Sequence, residues 1–402
     1  MIKKAFIGAV AAVLLGAPVR AYAQADTGAT EERPRTVQDI LRILVTNREV
    51  RTDDLERDEA AAETTRATLT RALLSAIATL PVSTSASGFT YRLNPALGTV
   101  ERASDTFGPF YVERALTAGA GQASLGFTFQ YASFKTLDGH DLSNGEFVTI
   151  ANQFTDEPAP YEFGTLTLDV NTSTATFYGN VGLNDRVDVG VSVPVVKLNV
   201  NGIQDNTYRG QPLLQVRATA ETIGLADIAV RSKVRLTGDG PGAVAAGVEV
   251  RLPTGREEDL LGAGEAALRL QGLASAEAGR TSVHGNFTLG TGGVGREISF
   301  GGAVAVAATR QFTVVGEVLA RRIAGVQRIT EVIVPHPEIN LVNTLRLIPD
   351  GEDFISAFAV TGFKWNVGGT WLLHGHVLWP ITDSGLTAGV TPTVALDYSF
   401  TR

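Results

Sequence analysis

Leu386-Thr387-Ala388-Gly389-Val390-Thr391-Pro392-Thr393-Val394-Ala395-Leu396-Asp397-Tyr398-Ser399-Phe400, near the end of the chain, changes character residue by residue. The even positions are mostly apolar and end in Tyr398 and Phe400, whereas the odd ones carry Thr, Gly, Ala, Asp and Ser. A strand turns successive side chains to opposite faces, so this stretch has one face suited to hydrocarbon and one suited to water. Soluble strands are usually about 5–6 residues long, and a strand crossing a bilayer at a tilt needs about 9–11. This stretch is long enough to cross.

The same pattern recurs toward the front. Ala123, Leu125, Phe127, Phe129 and Tyr131 alternate with Ser124, Gly126, Thr128, Gln130 and Ala132, and Val187, Val189, Val191, Val193 and Val195 alternate with Asp188, Gly190, Ser192 and Pro194. Between such stretches, short turns (183–186, 238–242, 278–280, 309–311, 368–370) take turns with longer connections. Of the latter, 199–223 and 322–354 read as long, and 253–262, 290–296 and 380–385 as medium. Gly164 to Leu183 reads as extended with a Thr-rich kink near Thr172. The reading is all-β: a transmembrane antiparallel up-and-down β-barrel over residues 122–402, of about twelve strands, with both ends on the short-turn side. Short turns on one side and longer loops on the other are the rule for outer-membrane barrels. A fourteen-strand count follows if Val170 to Thr174 is a turn and Val326 to Leu347 forms its own hairpin.

Lys3 and Lys4, the apolar run Ala5–Ala17 and the small residues Ala21 and Ala23 form a secretory signal peptide over residues 1–23, cut after Ala23 or Ala25. That run is too short to span a bilayer, and no other stretch has about 18 consecutive apolar residues. The expected location is therefore the cell outer membrane of a Gram-negative bacterium. Without cysteine there is no disulfide framework, zinc–thiolate site or cysteine nucleophile. A net charge of −8 argues against a nucleic-acid partner. Residues 24–83 read as a helical periplasmic extension. Thr36 caps a helix carrying Ile40, Leu41, Ile43, Leu44 and Val45, and a second amphipathic segment carries Leu69, Leu73, Leu74, Ile77 and Leu80 up to Pro81. Such helices can plug the barrel, join protomers into a homo-oligomer or serve as a tether. Residues 84–121 read as a periplasmic linker or mouth segment.

If the apolar parity faces lipid, the charged parity faces the lumen, because Arg or Lys against hydrocarbon near the midplane costs about 2–4 kcal/mol. This assigns Asp227, Arg231, Lys233, Arg235, Glu249, Arg251, Glu265, Arg269, Glu317, Arg321, Lys364, His374 and His376 to the lumen, as a packed charge ladder or as a polar constriction. Trp365, Trp371, Trp379, Tyr398 and Phe400 are the expected aromatic girdle, since Trp371 and Trp379 lie on one face roughly 26 Å apart along the strand. No residue set calls for a metal or a cofactor. Ser282 and His284 share a face without a third partner, so the chain does not read as an enzyme.

Gly224-Leu225-Ala226-Asp227-Ile228, Lys233-Val234-Arg235-Leu236, Leu252-Pro253-Thr254-Gly255 and Leu260-Leu261-Gly262-Ala263-Gly264 resemble the strand and loop pattern of outer-membrane barrel transporters of the phenol-degradation (meta pathway) type. Those are similar in kind to long-chain fatty-acid transporter barrels. The resemblance covers about residues 107–400 and excludes the helices. It implies passive passage of small hydrophobic or aromatic solutes, with outer-membrane lipid, a small apolar solute and the barrel-assembly machinery as partners. In such barrels a C-terminal aromatic residue is the assembly signal, though here Thr401 and Arg402 follow Phe400. The competing expectation is a non-conducting structural or partner-binding barrel.

Overall fold

The computed structural model describes residues 22–24, 36–46, 55–78, 88–94, 99–237 and 242–401. The predicted signal peptide lies outside these, apart from Tyr22 and Ala23, which with Gln24 pair with residues 217–219. Leu80 and Pro81 also lie outside the described residues.

Twelve antiparallel strands close into a barrel, the last pairing with the first. They are β1 (Gln122–Leu137), β2 (Glu162–Gly182), β3 (Val187–Tyr208), β4 (Gln211–Leu225, resuming as Ile228–Arg235), β5 (Gly242–Leu252) and β6 (Ala267–Ala278). After these come β7 (Thr281–Gly292), β8 (Arg296–Ala307), β9 (Phe312–Pro335), β10 (Val342–Gly368), β11 (Trp371–Pro380) and β12 (Leu386–Ala388 and Thr391–Thr401). The two parts of β4 count as one strand because both pair with β3, on either side of Ala226 and Asp227. Val191 and Leu396, which would have been enclosed in a soluble two-layer core, are 40% exposed on the outside, and Leu270, Phe300 and Val318 are more exposed still. An apolar outer surface on a ring without a free edge is the β solution to spanning a bilayer. Among the described residues no helix is long and apolar enough to do so.

Three expectations are corrected. Residues 199–223 and 322–354 are not long loops, because β3 runs on to Tyr208 and turns at Arg209 and Gly210 into β4, while β9 and β10 run on to Pro335 and back from Val342. The fourteen-strand count fails with them, since 326–347 belongs to the β9–β10 hairpin and 170–174 lies inside the unbroken β2. The cause is a change of phase along the strands. In the short-turn half of β3, odd residues such as Val191 and Val193 face outward and apolar. Farther along, the even, inward residues Val196, Leu198 and Val200 are the apolar ones, and Lys197, Asn199 and Asn201 face out. Leu166, Leu168 and Val170 of β2, Val216, Ala218 and Ala220 of β4, and Ala132 and Phe134 of β1 point inward in the same half. In this half the outer face is polar and an apolar filling lies within, the pattern expected of strands that project beyond a bilayer.

The filling is helical. α1 (Val37–Val45) starts at a capping box, in which Thr36 Oγ1 accepts from Asp39 N–H at 3.1 Å and Asp39 Oδ2 accepts from Thr36 N–H at 3.1 Å. α2 spans Leu55–Ala78. Ile40, Leu41, Leu44, Leu69 and Leu73 are fully buried in one core with the inward residues of β1–β4 and with Leu345 and Leu347 of β10. Each such side chain contributes about 1.5–3 kcal/mol. Leu44 lies where a side chain on Gly202 would stand, the nearest approach to an added Cβ being 2.2 Å, so only glycine fits there. Gln204, its amide turned so that the nitrogen faces the helix, donates to Leu44 O at 2.8 Å and satisfies the end of α1.

This placement corrects the expected extension outside the barrel. The helices sit inside the barrel, in the half that carries the longer connections, and Val37 N–H donates to Asp259 in the β5–β6 connection at 3.4 Å. Among the described residues, the apolar side chains of both helices pack against the barrel's own wall.

Candidate functional site

From the longer-loop end to the short-turn end the lumen holds the helices, a charged cavity, and the segment that leads into β1. That segment, residues 99–121, is the described later part of the 84–121 stretch expected as a linker or mouth piece. It is largely irregular, enters the barrel and lies across the short-turn half, so its backbone groups need partners away from water. The inward charges of the wall supply them. Glu317 of β9 accepts from the N–H groups of Phe110, Tyr111 (3.0 Å) and Val112 (2.9 Å). Lys364 of β10 donates to Pro109 O at 2.7 Å. Lys233 of β4 donates to Arg114 O, Leu116 O and Glu113 Oε1, each at 2.9 Å, and lies 3.6 Å from Asp188. Asp188 in turn accepts from Ala118 N–H.

His374 and His376 of β11 stack with Phe110, with ring centroids 5.7 and 4.2 Å apart, and His376 Nε2 is 2.9 Å from Tyr111 Oη. Burial pushes the Tyr111 phenol above the usual tyrosine range. His374 also lies 3.5 Å from Asp397, which accepts from Tyr178 Oη. Ser282 Oγ is 2.9 Å from His284 Nε2 and 2.7 Å from Thr106 Oγ1, fully buried beneath the segment.

Between this segment and the helices is a cavity of about 150 Å³. Arg231, Arg251, Arg269 and Arg321 line it, with Glu249 and Glu297. Glu249 receives Arg231 Nε at 2.5 Å, Arg251 Nε at 2.8 Å and Arg269 Nη1 at 2.9 Å, and Glu297 receives Arg269 Nη2 at 2.6 Å. The register explains the cluster: Arg231 faces Glu249 across β4–β5, and Glu249 faces Arg269 across β5–β6. Tyr111, Val112 and Glu113 form the floor. Arg321 donates to Ser356 Oγ at 2.7 Å and lies 5.8 and 5.9 Å from the rings of Phe354 and Phe358.

The predicted lumen residues therefore divide by height. Arg231, Glu249, Arg251, Arg269 and Arg321 meet at the cavity, while Lys233, Glu317, Lys364, His374 and His376 hold the segment below it. Arg235 lies at the short-turn end of β4, where its N–H donates to Arg186 O at 2.8 Å. Asp227 is at the opposite rim. It accepts from Gly255 N–H at 3.1 Å and Ala263 N–H at 2.9 Å, while Thr254 Oγ1 donates to Ala226 O at 2.7 Å. Most of the sequence motifs that carry the family resemblance thus meet in one knot, in which Gly255 and Gly262 approach too closely for any Cβ. Glu265 had been placed on a strand and is instead exposed in the β5–β6 connection.

Trp365, Trp371 and Tyr398 point outward at the short-turn end with Phe400 beside Tyr398, and Trp379 points outward at the far end of β11. Glu297, Glu113 and Asp188 were missed as site residues. Glu297 shares the inward parity of Ala303 and Ala305, a signal that an expected connection over 290–296 obscured.

No protein-family model matches the chain, and no curated protein is a match for it. Among solved structures it is similar in backbone to an outer membrane channel from Pseudomonas putida F1, at 10% identity and a TM-score of 0.47 over 71% of this chain and 98% of that one. It is also similar to the KdgM porin, at 7% identity and 0.38 over 69% and 99%. The translocator domain of the autotransporter NalP from Neisseria meningitidis follows at 10% identity and 0.36 over 70% and 89%.

Proposed function

We propose that the chain is an outer-membrane channel for passive passage of small hydrophobic or aromatic solutes, in a state closed by its own N-terminal segment. The observation that carries this is the cavity itself: a space at mid-height, floored by a strap that Glu317, Lys364 and Lys233 hold to the wall by hydrogen bonds and ion pairs, while Phe107, Phe110 and Ala115 pack against wall residues. The polar part of that hold can be exchanged for water. A second, smaller cavity shares Arg251, Arg269 and Glu297 with the first and extends to Glu265 and Gly293 on the longer-loop side. The resemblance to phenol-degradation-type transporters supports a small aromatic cargo.

The competing reading, a non-conducting barrel, is favoured by the occupation of both ends of the lumen. Solute flux into proteoliposomes decides between them. Wild-type protein is expected to pass small solutes slowly, and the double variant Glu317→Ala/Lys364→Ala, which loosens the strap, at least tenfold faster. Absence of flux from both proteins, with both barrels folded, would establish the non-conducting reading.

A further inference from the structure

We propose that His284 makes the hold of the strap on the wall proton-sensitive, the strap being seated while the imidazole is neutral and released when the ring takes a proton. The proposal rests on the strap as the closure of the lumen and adds what unseats it. Its basis is an unbroken file of hydrogen bonds that runs from wall to strap and back. Glu277 Oε2 of β6 accepts from Ser104 Oγ of the strap at 2.8 Å, Ser104 Oγ lies 3.0 Å from Thr106 Oγ1, and Thr106 Oγ1 lies 2.7 Å from Ser282 Oγ of β7. Ser282 Oγ lies 2.9 Å from His284 Nε2, and His284 Nδ1 lies 2.8 Å from Ser275 Oγ of β6. Ser275 Oγ in turn accepts from Ala115 N–H, back on the strap, at 3.0 Å. Register brings the wall members together, since Ser275 faces His284 and Glu277 faces Ser282 across β6–β7, and Thr106, Ser275, Ser282 and His284 are all buried.

The direction of the file follows from its ends, because each hydroxyl has a single hydrogen to give. Glu277 as a carboxylate takes the hydrogen of Ser104, so Ser104 accepts from Thr106, whose N–H also donates to it at 3.1 Å. Thr106 then accepts from Ser282, and Ser282 from His284. The ring therefore carries its hydrogen on Nε2 and leaves Nδ1 bare to accept from Ser275. Only a neutral imidazole does both. A protonated ring presents an N–H at Nδ1 as well. Ser275 Oγ then meets two donors, the ring and Ala115, and its own hydroxyl hydrogen has no acceptor among the described residues. The charged groups around the ring are Arg114 from the strap, Lys233 from β4 and Lys364 from β10, with Glu113 of the strap bound to Lys233 and Glu277 at the far end of the file, while β8 sets Ala303 opposite. The file, and not the balance of these charges, sets the sign. Departure of the strap removes Thr106 and Ala115 and gives both ring nitrogens to water. A histidine in water takes its proton near pH 6.5, so a ring that is charged only when the strap is out makes release up to about tenfold more favourable per pH unit below that value.

The test is electron paramagnetic resonance of a nitroxide on Asp105→Cys, an exposed strap position outside the file, in the full-length detergent-solubilised barrel, which has no other cysteine. The ratio of mobile to immobile label is expected to rise about thirtyfold between about pH 7.5 and about pH 5. His284→Gln keeps an amide donor for Ser282 and takes no proton, so its ratio should stay within about twofold of the parent's value at about pH 7.5 throughout that range. Thr106→Val cuts the file without changing the shape of the side chain, and should raise the mobile share at about pH 7.5 by about threefold or more. Each variant is first shown to be folded by its heat-dependent gel mobility. An unchanged ratio in the parent, or a rise that persists in His284→Gln, would overturn the proposal, and a Thr106→Val strap as still as the parent's would overturn the file as its latch. Flux through proteoliposomes is measured apart from label motion, so a barrel that conducts while its label ignores pH refutes this proposal alone. One whose label responds without any flux refutes the channel alone.

Discussion

Glu317 gathers three backbone N–H groups onto one buried carboxylate. Hydrogen bonds to a charged acceptor contribute about 1.5–3 kcal/mol each, and a donor left without a partner in the interior costs a similar amount. Glu317→Ala should therefore free the strap at a local cost of about 3 kcal/mol or more while leaving the twelve-strand ring assembled, since every ladder bond remains. The expected readout is more frequent channel openings in planar bilayers, with unchanged heat-dependent mobility on gels. On the outer face, Val318→Arg puts a charge against hydrocarbon at an estimated 2–4 kcal/mol near the midplane. It should lower the yield of inserted barrel and the denaturant midpoint, whereas the inward Arg321→Gln should leave insertion intact.

At this scale the sequence was informative where chemistry and parity agreed. Arg231, Glu249 and Arg269 stand at matching parity on neighbouring strands and do meet. Glu265 has the same composition signal, yet it falls in a connection, and one sequence does not mark where a strand ends to within a residue or two.

The elements show why whole segments were misread. A strand that leaves the membrane keeps its two-residue period but exchanges faces, because its inner side now meets α1 and α2 and its outer side meets water. From Asn199 on, β3 therefore looks like a polar connection to a reader expecting oil on the outside throughout, although the backbone never stops pairing. The apolar stripe on α1 was legible from spacing alone. Its partner was not, since the wall it packs against lies about 160 residues away along the chain, as with Leu44 and Gly202.

Two expectations follow for these helices. Leu44→Ala empties a fully buried site and should loosen α1 by about 2–5 kcal/mol. Thr36→Ala removes the capping box and should cost about 1 kcal/mol. Both are measured by limited proteolysis of the folded barrel. The Leu44 variant should be cut in α1 well before the Thr36 variant, and equal resistance in both would contradict this packing.

For the whole molecule, the sidedness set by turn length can be tested directly, because the chain has no cysteine of its own. Glu257→Cys, in the β5–β6 connection against α1, is expected to react with a membrane-impermeant maleimide on intact cells. Asn184→Cys, in the exposed β2–β3 turn, should react only after the outer membrane is broken. The reverse pattern would invert the barrel and with it the direction of the route to the cavity.

At this scale, architecture, strand number and the side on which the barrel's first strand starts and its last strand ends were within reach of the sequence, since all three follow from segment length and connection asymmetry. The occupied lumen was not, because nothing local in residues 99–121 distinguishes a strap within a ring from a linker beneath one.

Gly121 N–H donates to Gly182 O at 3.1 Å, and β1 begins one residue later, so the stopper and its socket are a single covalent piece. Dislodging it cannot send it away. On so short a leash its effective concentration stays on the order of millimolar, whatever the dilution of the protein outside. On the proposed reading, reclosure is intramolecular, and loosening the grip should raise the fraction of time spent open.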